Sequence, residues 1–327
     1  MKKLIYSFTL SFLFLLVNNC YSQSTDIKLS KVGESYAQEY VKPAIDGIGS
    51  NINSGFFNTA VVPFNKSKPV EFNFHFSLRF FGSFFPESSR SFDLSYIDSV
   101  DVGGGVLRQV QYTVTNAPTI IGSTEAAIAK GYFTDNNQPA PDQTLIGGVL
   151  NTGVVPLFFP QFQFGSIYGT DAVIRFLPKI SVGEFGSFNF FGFAIRHNLD
   201  QYFAKSPLNF AIQAGYQLNN IDDNTDFRIL KGTDFFINLQ ASKSFSSLFN
   251  IYGGLQFEKY KGDINYTYVQ DANDPSGDIP VSFSQTADDK FRVILGGNLT
   301  VGYFNFNFDA NISNRITLSF GTGVGFP

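Results

Sequence analysis

The sequence predicts an all-β protein, an antiparallel transmembrane β-barrel of about 12–14 strands with a short, partly helical N-terminal plug or arm. Three observations carry that expectation. The stretch 70–80 places Val70, Phe72, Phe74, Phe76, Leu78 and Phe80 at every second position, with Glu71, Asn73, His75, Ser77 and Arg79 between them. A period of two is a strand with one apolar and one wet face. Its length suits a tilted bilayer crossing of roughly 9–11 residues better than a globular strand of about 5–6. The same alternation returns throughout the second half of the chain. Composition agrees: of 327 residues 40 are Phe and 15 Tyr, hydrophobic residues make up 43%, yet charged residues are only 15% and mean hydropathy is zero. A lipid-facing outside and a wet inside need that balance, whereas a soluble protein is about a quarter charged.

The first residues read as an export signal. Lys2 and Lys3 precede an apolar run from Leu4 to Val17, and Cys20-Tyr21-Ser22 supplies small residues before Gln23, so 1–22 is expected to be a cleaved signal peptide. A lipoprotein anchored through Cys20 is disfavoured, because Asn18 and Asn19 stand where a lipobox wants a small residue. Cleavage removes the only cysteine, and with it disulfide and thiolate chemistry. The net charge of −4 argues against nucleic acid as a partner. After residue 22 no apolar run reaches the length of a membrane helix. The expected destination is the outer membrane.

Residues 23–69 do not read as wall. Val32, Tyr36 and Tyr40 recur at helical spacing until Pro43, which is expected to end the helix. The Gly-, Asn- and Ser-rich stretch after it suits either a plug inside the barrel or a periplasmic arm, and both placements stay open. The barrel is expected over 70–327. Its staves are Val70–Phe80, Phe92–Tyr96, Val106–Val114, Leu157–Phe164, Asp171–Pro178, Phe188–Arg196, Leu208–Leu218, Asp234–Ser242, Phe249–Glu258, Phe291–Thr300, Tyr303–Ile312 and Ile316–Phe326. That even number puts both barrel termini on the periplasmic side. A hairpin hidden in the long loop 115–156 would raise it to about 14; 219–233 and a second long loop, 259–290, are expected outside.

Two resemblances follow from particular residues. The closing stretch Ile316, Leu318, Phe320, Thr322, Val324, Phe326 looks like the strand that barrel-assembly machinery recognises, although Pro327 follows the terminal aromatic. YVKPAIDGIGSNINSGFFNTA at 40–60, APTIIGS at 117–123, YGTDAVIRFLPKI at 168–180 and FFGFAIRHNLDQYFAKSPLNFAIQAGYQ at 190–217 resemble an uncharacterised family of exported outer-membrane β-barrel proteins of Gram-negative bacteria. More distantly, an N-terminal segment ahead of the first stave is similar in layout to the fatty-acid and hydrocarbon channel family, in which an N-terminal hatch fills the barrel and hydrophobic molecules pass inward. What these resemblances imply is a barrel, not a substrate.

Parity names the candidate lumen-lining residues: Glu71, Asn73, His75, Ser77, Arg79, Asp171, Arg175, Arg196, Gln213 and Glu258. Their charges either steer a passing solute, as rings of charge do in channels, or simply fill a narrow lumen, the expectation for a small barrel. His75 and Ser77 share a strand face, as a nucleophilic pair would. Glu71, four residues back, lies about 13 Å away and cannot orient His75, so no catalytic residue is expected. Two histidines make no metal set. The Asp-rich outer loops miss the calcium template, and Gly321-Thr322-Gly323-Val324-Gly325 lacks the helix a phosphate loop needs. Its glycines are expected to let the last strand bend. No cofactor is expected. The functional reading is a narrow channel or transporter for small hydrophobic molecules, and the alternative is a closed structural or surface-interaction barrel whose outer loops bind a partner. The expected partners are outer-membrane lipid, the barrel-assembly machinery and a small hydrophobic ligand.

Overall fold

The computed structural model describes residues 29, 33–181, 186–203, 206–268 and 278–326. The expected signal segment 1–22, its cleavage site and Pro327 lie outside the described residues. In chain order the elements are helix α1 (Glu34–Ile52) and strands β1 (Val70–Phe84), β2 (Ser91–Asp101), β3 (Leu107–Pro118), β4 (Ile128–Phe133), β5 (Gln143–Thr144), β6 (Val154–Ile167), β7 (Thr170–Ser181), β8 (Ser187–Asn198), β9 (Asn209–Asp222), β10 (Arg228–Ser244), β11 (Phe249–Tyr268), β12 (Ile279–Thr286), β13 (Phe291–Val301), β14 (Phe304–Ile312) and β15 (Ile316–Phe326).

Ten of these strands close into an antiparallel barrel in the order β1-β6-β7-β8-β9-β10-β11-β13-β14-β15, with β15 returning to β1. The expected 12–14 staves are therefore corrected to ten. The two surplus staves are β2 and β3, which leave the wall and build a separate sheet with β4 and β5. Their outward side chains explain it: on β2 Asp93, Ser95, Ser99 and Asp101 are exposed, a row that lipid would not accept. The barrel is thus 70–84 plus 154–326, and 85–153 is an excursion whose ends are pinned together by Phe85 N–H donating to Gly153 O (2.8 Å). The loop expected at 115–156 is partly strand. That at 259–290 is corrected likewise, since β11 runs on to Tyr268 and β12 pairs with its last eight residues.

The wall obeys the alternation of its first stave. Phe74 faces Phe164 and Phe326 across the neighbouring ladders, and Phe80 faces Phe158 and Phe320. Phe72, Phe158, Phe164, Phe191, Phe235 and Phe257 are exposed on the outside. Turns at the end bearing Val70 and Phe326, called the lower end, carry exposed Tyr168, Tyr202, Phe203, Phe245 and Tyr303, the aromatic girdle expected at a membrane interface. The excursion sheet stands over the opposite, upper mouth. One ladder is short: β6 and β7 pair only from Ile167/Thr170 to Gln161/Arg175, and above that point Pro156, Pro160 and Pro178 bring no N–H.

Candidate functional site: a filled lumen

Residues 34–64 occupy the interior, and their contacts give the direction of the chain. Helix α1 starts under the excursion sheet. Tyr36 packs on Phe92 (ring centroids 5.1 Å apart), its hydroxyl and that of Tyr40 donate to the carbonyls of Ile146 (3.2 Å) and Gly147 (3.0 Å), and Ile120 N–H donates to Tyr40 O (3.0 Å). The helix does not stop at Pro43, as its sequence suggests, but runs to Ile52. Packing outweighs the lost backbone bond: Gly47 and Gly49 let the helix approach so closely that a Cβ would lie 3.0 Å from Val155 and from Tyr260. Beyond Ile52 the chain is irregular and descends the lumen. Gly55 turns it with φ +65°, where any Cβ would sit 2.8 Å from the Phe81 ring. At the lower end Ser166 Oγ donates to Pro63 O, and β1 begins a few residues later.

Of the ten parity-assigned residues, Arg175 and Arg196 hold this segment directly, and Asp171 and Glu258 act through an arginine that does. Arg175, fully buried, donates from Nη1 to Ile52 O and from Nη2 to Ser54 O (both 2.8 Å), and from Nε to Gln161 (2.8 Å). Arg196 donates to Thr59 O (2.6 Å) and Val61 O (3.5 Å) and pairs with Asp171 (2.6 Å). Glu258 accepts two bonds from Arg292 (2.7 and 2.9 Å), whose other Nη reaches Ser54 Oγ (2.7 Å). Gln213 accepts from Gln240 (2.7 Å) in the wall. Burying an ion pair is offset only where the geometry is good and further hydrogen bonds serve each partner, as Gln163 does for Asp171 and Gln256 for Glu258.

The β1 residues form a second, separate group. Glu71 and Asn73 are half-buried near the lower rim beside a register shift between Glu71 and Phe74. His75 Nε2 contacts the Asn305 amide, Ser77 is buried, and Arg79 is buried with Nε and Nη1 unbonded to any described residue. The glycines of β15 lie directly across: His75 faces Gly325, Ser77 faces Gly323 and Arg79 faces Gly321. They make room for these side chains, since a Cβ on Gly321 would fall 2.7 Å from Arg79 Nη1. That is a local reason for the Gly row distinct from a strand bend. Among the described residues no carboxylate is hydrogen-bonded to His75 or Ser77.

Sequence reasoning missed Arg292, Gln161, Gln256, Asn198 and Asp234. Gln256 donates to Asn53 O (2.9 Å), Gln161 to Phe56 O (3.3 Å) and Asn198 to Val62 O (2.6 Å), while Asp234 accepts from Asn53 (2.7 Å). Arg292, Gln161 and Gln256 alternate with outward-facing apolar neighbours, so the parity rule would have found them; Asn198 and Asp234, beside His197 and Thr233, carry a weaker pattern. Outside the wall, Arg108 donates two bonds to Asp135 and holds its carboxyl below the usual range, whereas burial pushes the Tyr96 hydroxyl up.

No curated protein matches the chain in sequence. In structure it is similar to Ail, the attachment invasion locus protein of Yersinia pestis, at 10% identity over 78% of this chain and 99% of that one (TM-score 0.25). It is also similar to a loop-deletion form of OmpT, an outer membrane protein of Vibrio cholerae, at 9% identity over 79% and 100% (TM-score 0.26). A third likeness is to the toluene transporter TodX of Pseudomonas putida, at 8% over 78% and 88% (TM-score 0.22). Likenesses this weak carry no argument about this chain. One family model spans residues 1–326, and on that match the chain belongs to a family of unknown function, DUF6588.

Proposed function

We propose that this protein is an outer-membrane barrel that serves as a narrow conduit for small hydrophobic molecules, closed at rest by its own residues 34–64. The observation that carries the reading is that the filler is not part of the wall. The ten staves close on their own ladders, and the filler is tied to them only through side chains, so it can leave without breaking a strand pairing. The outward phenylalanines support a lipid environment. The upper lumen supports an apolar solute: Phe81, Phe159 and Phe190 form a cluster there, with the last two stacked 4.1 Å apart. The reading includes no catalysis and no cofactor. Outer-membrane lipid and, through β15, the barrel-assembly machinery are its partners.

The excursion sheet favours a second reading, a closed barrel that presents β2–β5 to a partner outside the cell. Planar-bilayer conductance separates the two. The conduit reading expects the full chain to be silent and a chain lacking 34–64 to conduct and to pass a small aromatic solute into liposomes. A silent deletion variant that still shows the heat-modifiable band of a folded barrel would sink the conduit and leave the surface-interaction barrel.

A further inference from the structure

The lumen grips its occupant by the backbone. Six wall side chains on four strands (Gln161 and Ser166 on β6, Arg175 on β7, Arg196 and Asn198 on β8, Gln256 on β11) donate to eight main-chain carbonyls between Ile52 and Pro63. A buried carbonyl needs a donor. In α1 the next turn supplies it; past Ile52 the wall does. Carbonyls are common to every residue, so donors aimed at them read a non-helical segment largely irrespective of its side chains, much as the main chain of an added strand is read at a sheet edge.

Side-chain recognition is concentrated at one place. Phe56 lies between the Arg175 guanidinium (3.6 Å from the ring centre) and the Phe236 ring (4.0 Å), and Phe57 meets Tyr252 edge-on at 5.6 Å. Gly215 and Gly254 open the space: a Cβ at the first would lie 2.5 Å from Phe236 and at the second 2.9 Å from Phe57. The remaining side-chain bonds are single contacts: Asn53 donates to Asp234, Arg292 donates to Ser54, Asn58 donates to Asn298, and the hydroxyls of Thr59 and Ser242 meet.

We propose that the lumen is a binding site for a non-helical, irregular peptide segment, read through its main-chain carbonyls and anchored by a pair of adjacent aromatics, and that residues 52–63 are its resident occupant. The inference goes beyond the conduit reading and needs no flow of solute.

The test uses the full chain. A site-specific protease sequence is inserted between Ser67 and Lys68, within the exposed segment 65–68, and cut after the barrel has folded in detergent. The probe is a fluorescent synthetic peptide of residues 50–65. It is expected to exchange with the cut segment and to saturate. A peptide keeping Gly55, Phe56 and Phe57 but with Ala or Ser at the other positions of 52–63 is expected to compete within about tenfold, and an F56A/F57A peptide to compete more weakly than about tenfold. Failure of the own-sequence peptide to exchange overturns the site, and failure of the Ala/Ser peptide to compete overturns backbone reading. Current recorded from the chain lacking 34–64 judges the conduit separately: exchange in the cut chain beside a silent, folded deletion variant sinks only the conduit, and a conducting deletion variant without exchange in the cut chain sinks only the peptide site.

Discussion

Arg292 and Glu258 show what a charge inside this barrel must do. Each is buried, and the pair shares two hydrogen bonds while Arg292 also reaches Ser50 and Ser54 of the filler. Arg292→Met leaves a buried carboxylate unpaired, a change that costs about 3–5 kcal/mol. The double change R292M/E258Q removes the stranded charge and is expected to recover most of that loss, read as the urea midpoint in micelles. Asp135 offers the opposite setting, a solvent-facing carboxylate on the excursion sheet. Hydrogen bonds from Arg108 depress its folded pKa. The stability it lends is therefore present above the ordinary carboxylate range and lost as pH falls through the folded value. Tyrosine fluorescence melts of the sheet are expected to weaken on acidification, and D135N to remove the Asp135 share of that dependence.

At the scale of elements, the excursion sheet and α1 depend on each other. The tyrosines that begin the helix bond to carbonyls at 146 and 147, and the backbone of Ile120 bonds to Tyr40. Because Phe85 and Gly153 are already hydrogen-bonded, a short turn can replace 87–151 without straining the wall. That deletion is expected to keep the heat-modifiable barrel while loosening the filler, seen as brief conducting events. Ser50 and Thr317 lie 2.7 Å apart through their hydroxyls. A disulfide from S50C/T317C is expected to abolish those events until reductant is added; events that persist in the oxidised state would show that the filler is not what closes the lumen.

For the whole molecule, the filler runs opposite to the first stave. It enters beneath the sheet at the upper mouth and leaves at the lower rim, where β1 starts. The proposed placement of the lower end in the periplasm would put residue 33 on the outer side. A small epitope placed just before Gly33 is expected to be labelled on intact cells, and a tag seen only after the envelope is broken would reverse the orientation. The wall makes a matching prediction about its faces: a cysteine at Phe74 is expected to react with a lipid-phase probe, while one at His75 is not.

How much of this was legible depended on the range of the interaction. Alternation is local, so the sequence by itself determined the strand faces: which aromatics face outward, and that Arg79, Asp171, Arg175, Arg196, Gln213 and Glu258 turn inward. It also marked 23–69 as something other than wall. It did not decide that β2 and β3 leave the barrel, because an amphipathic strand alternates alike against lipid or beneath a sheet. Nor did it decide that α1 passes Pro43, where wall contacts outweigh one missing hydrogen bond. Above all it could not pair the inward arginines with their acceptors. Those acceptors are main-chain carbonyls more than a hundred residues away, and a carbonyl leaves no mark in a sequence. Only closing the wall around the chain's own N-terminal segment brings them within hydrogen-bonding distance, and that placement belongs to the tertiary structure.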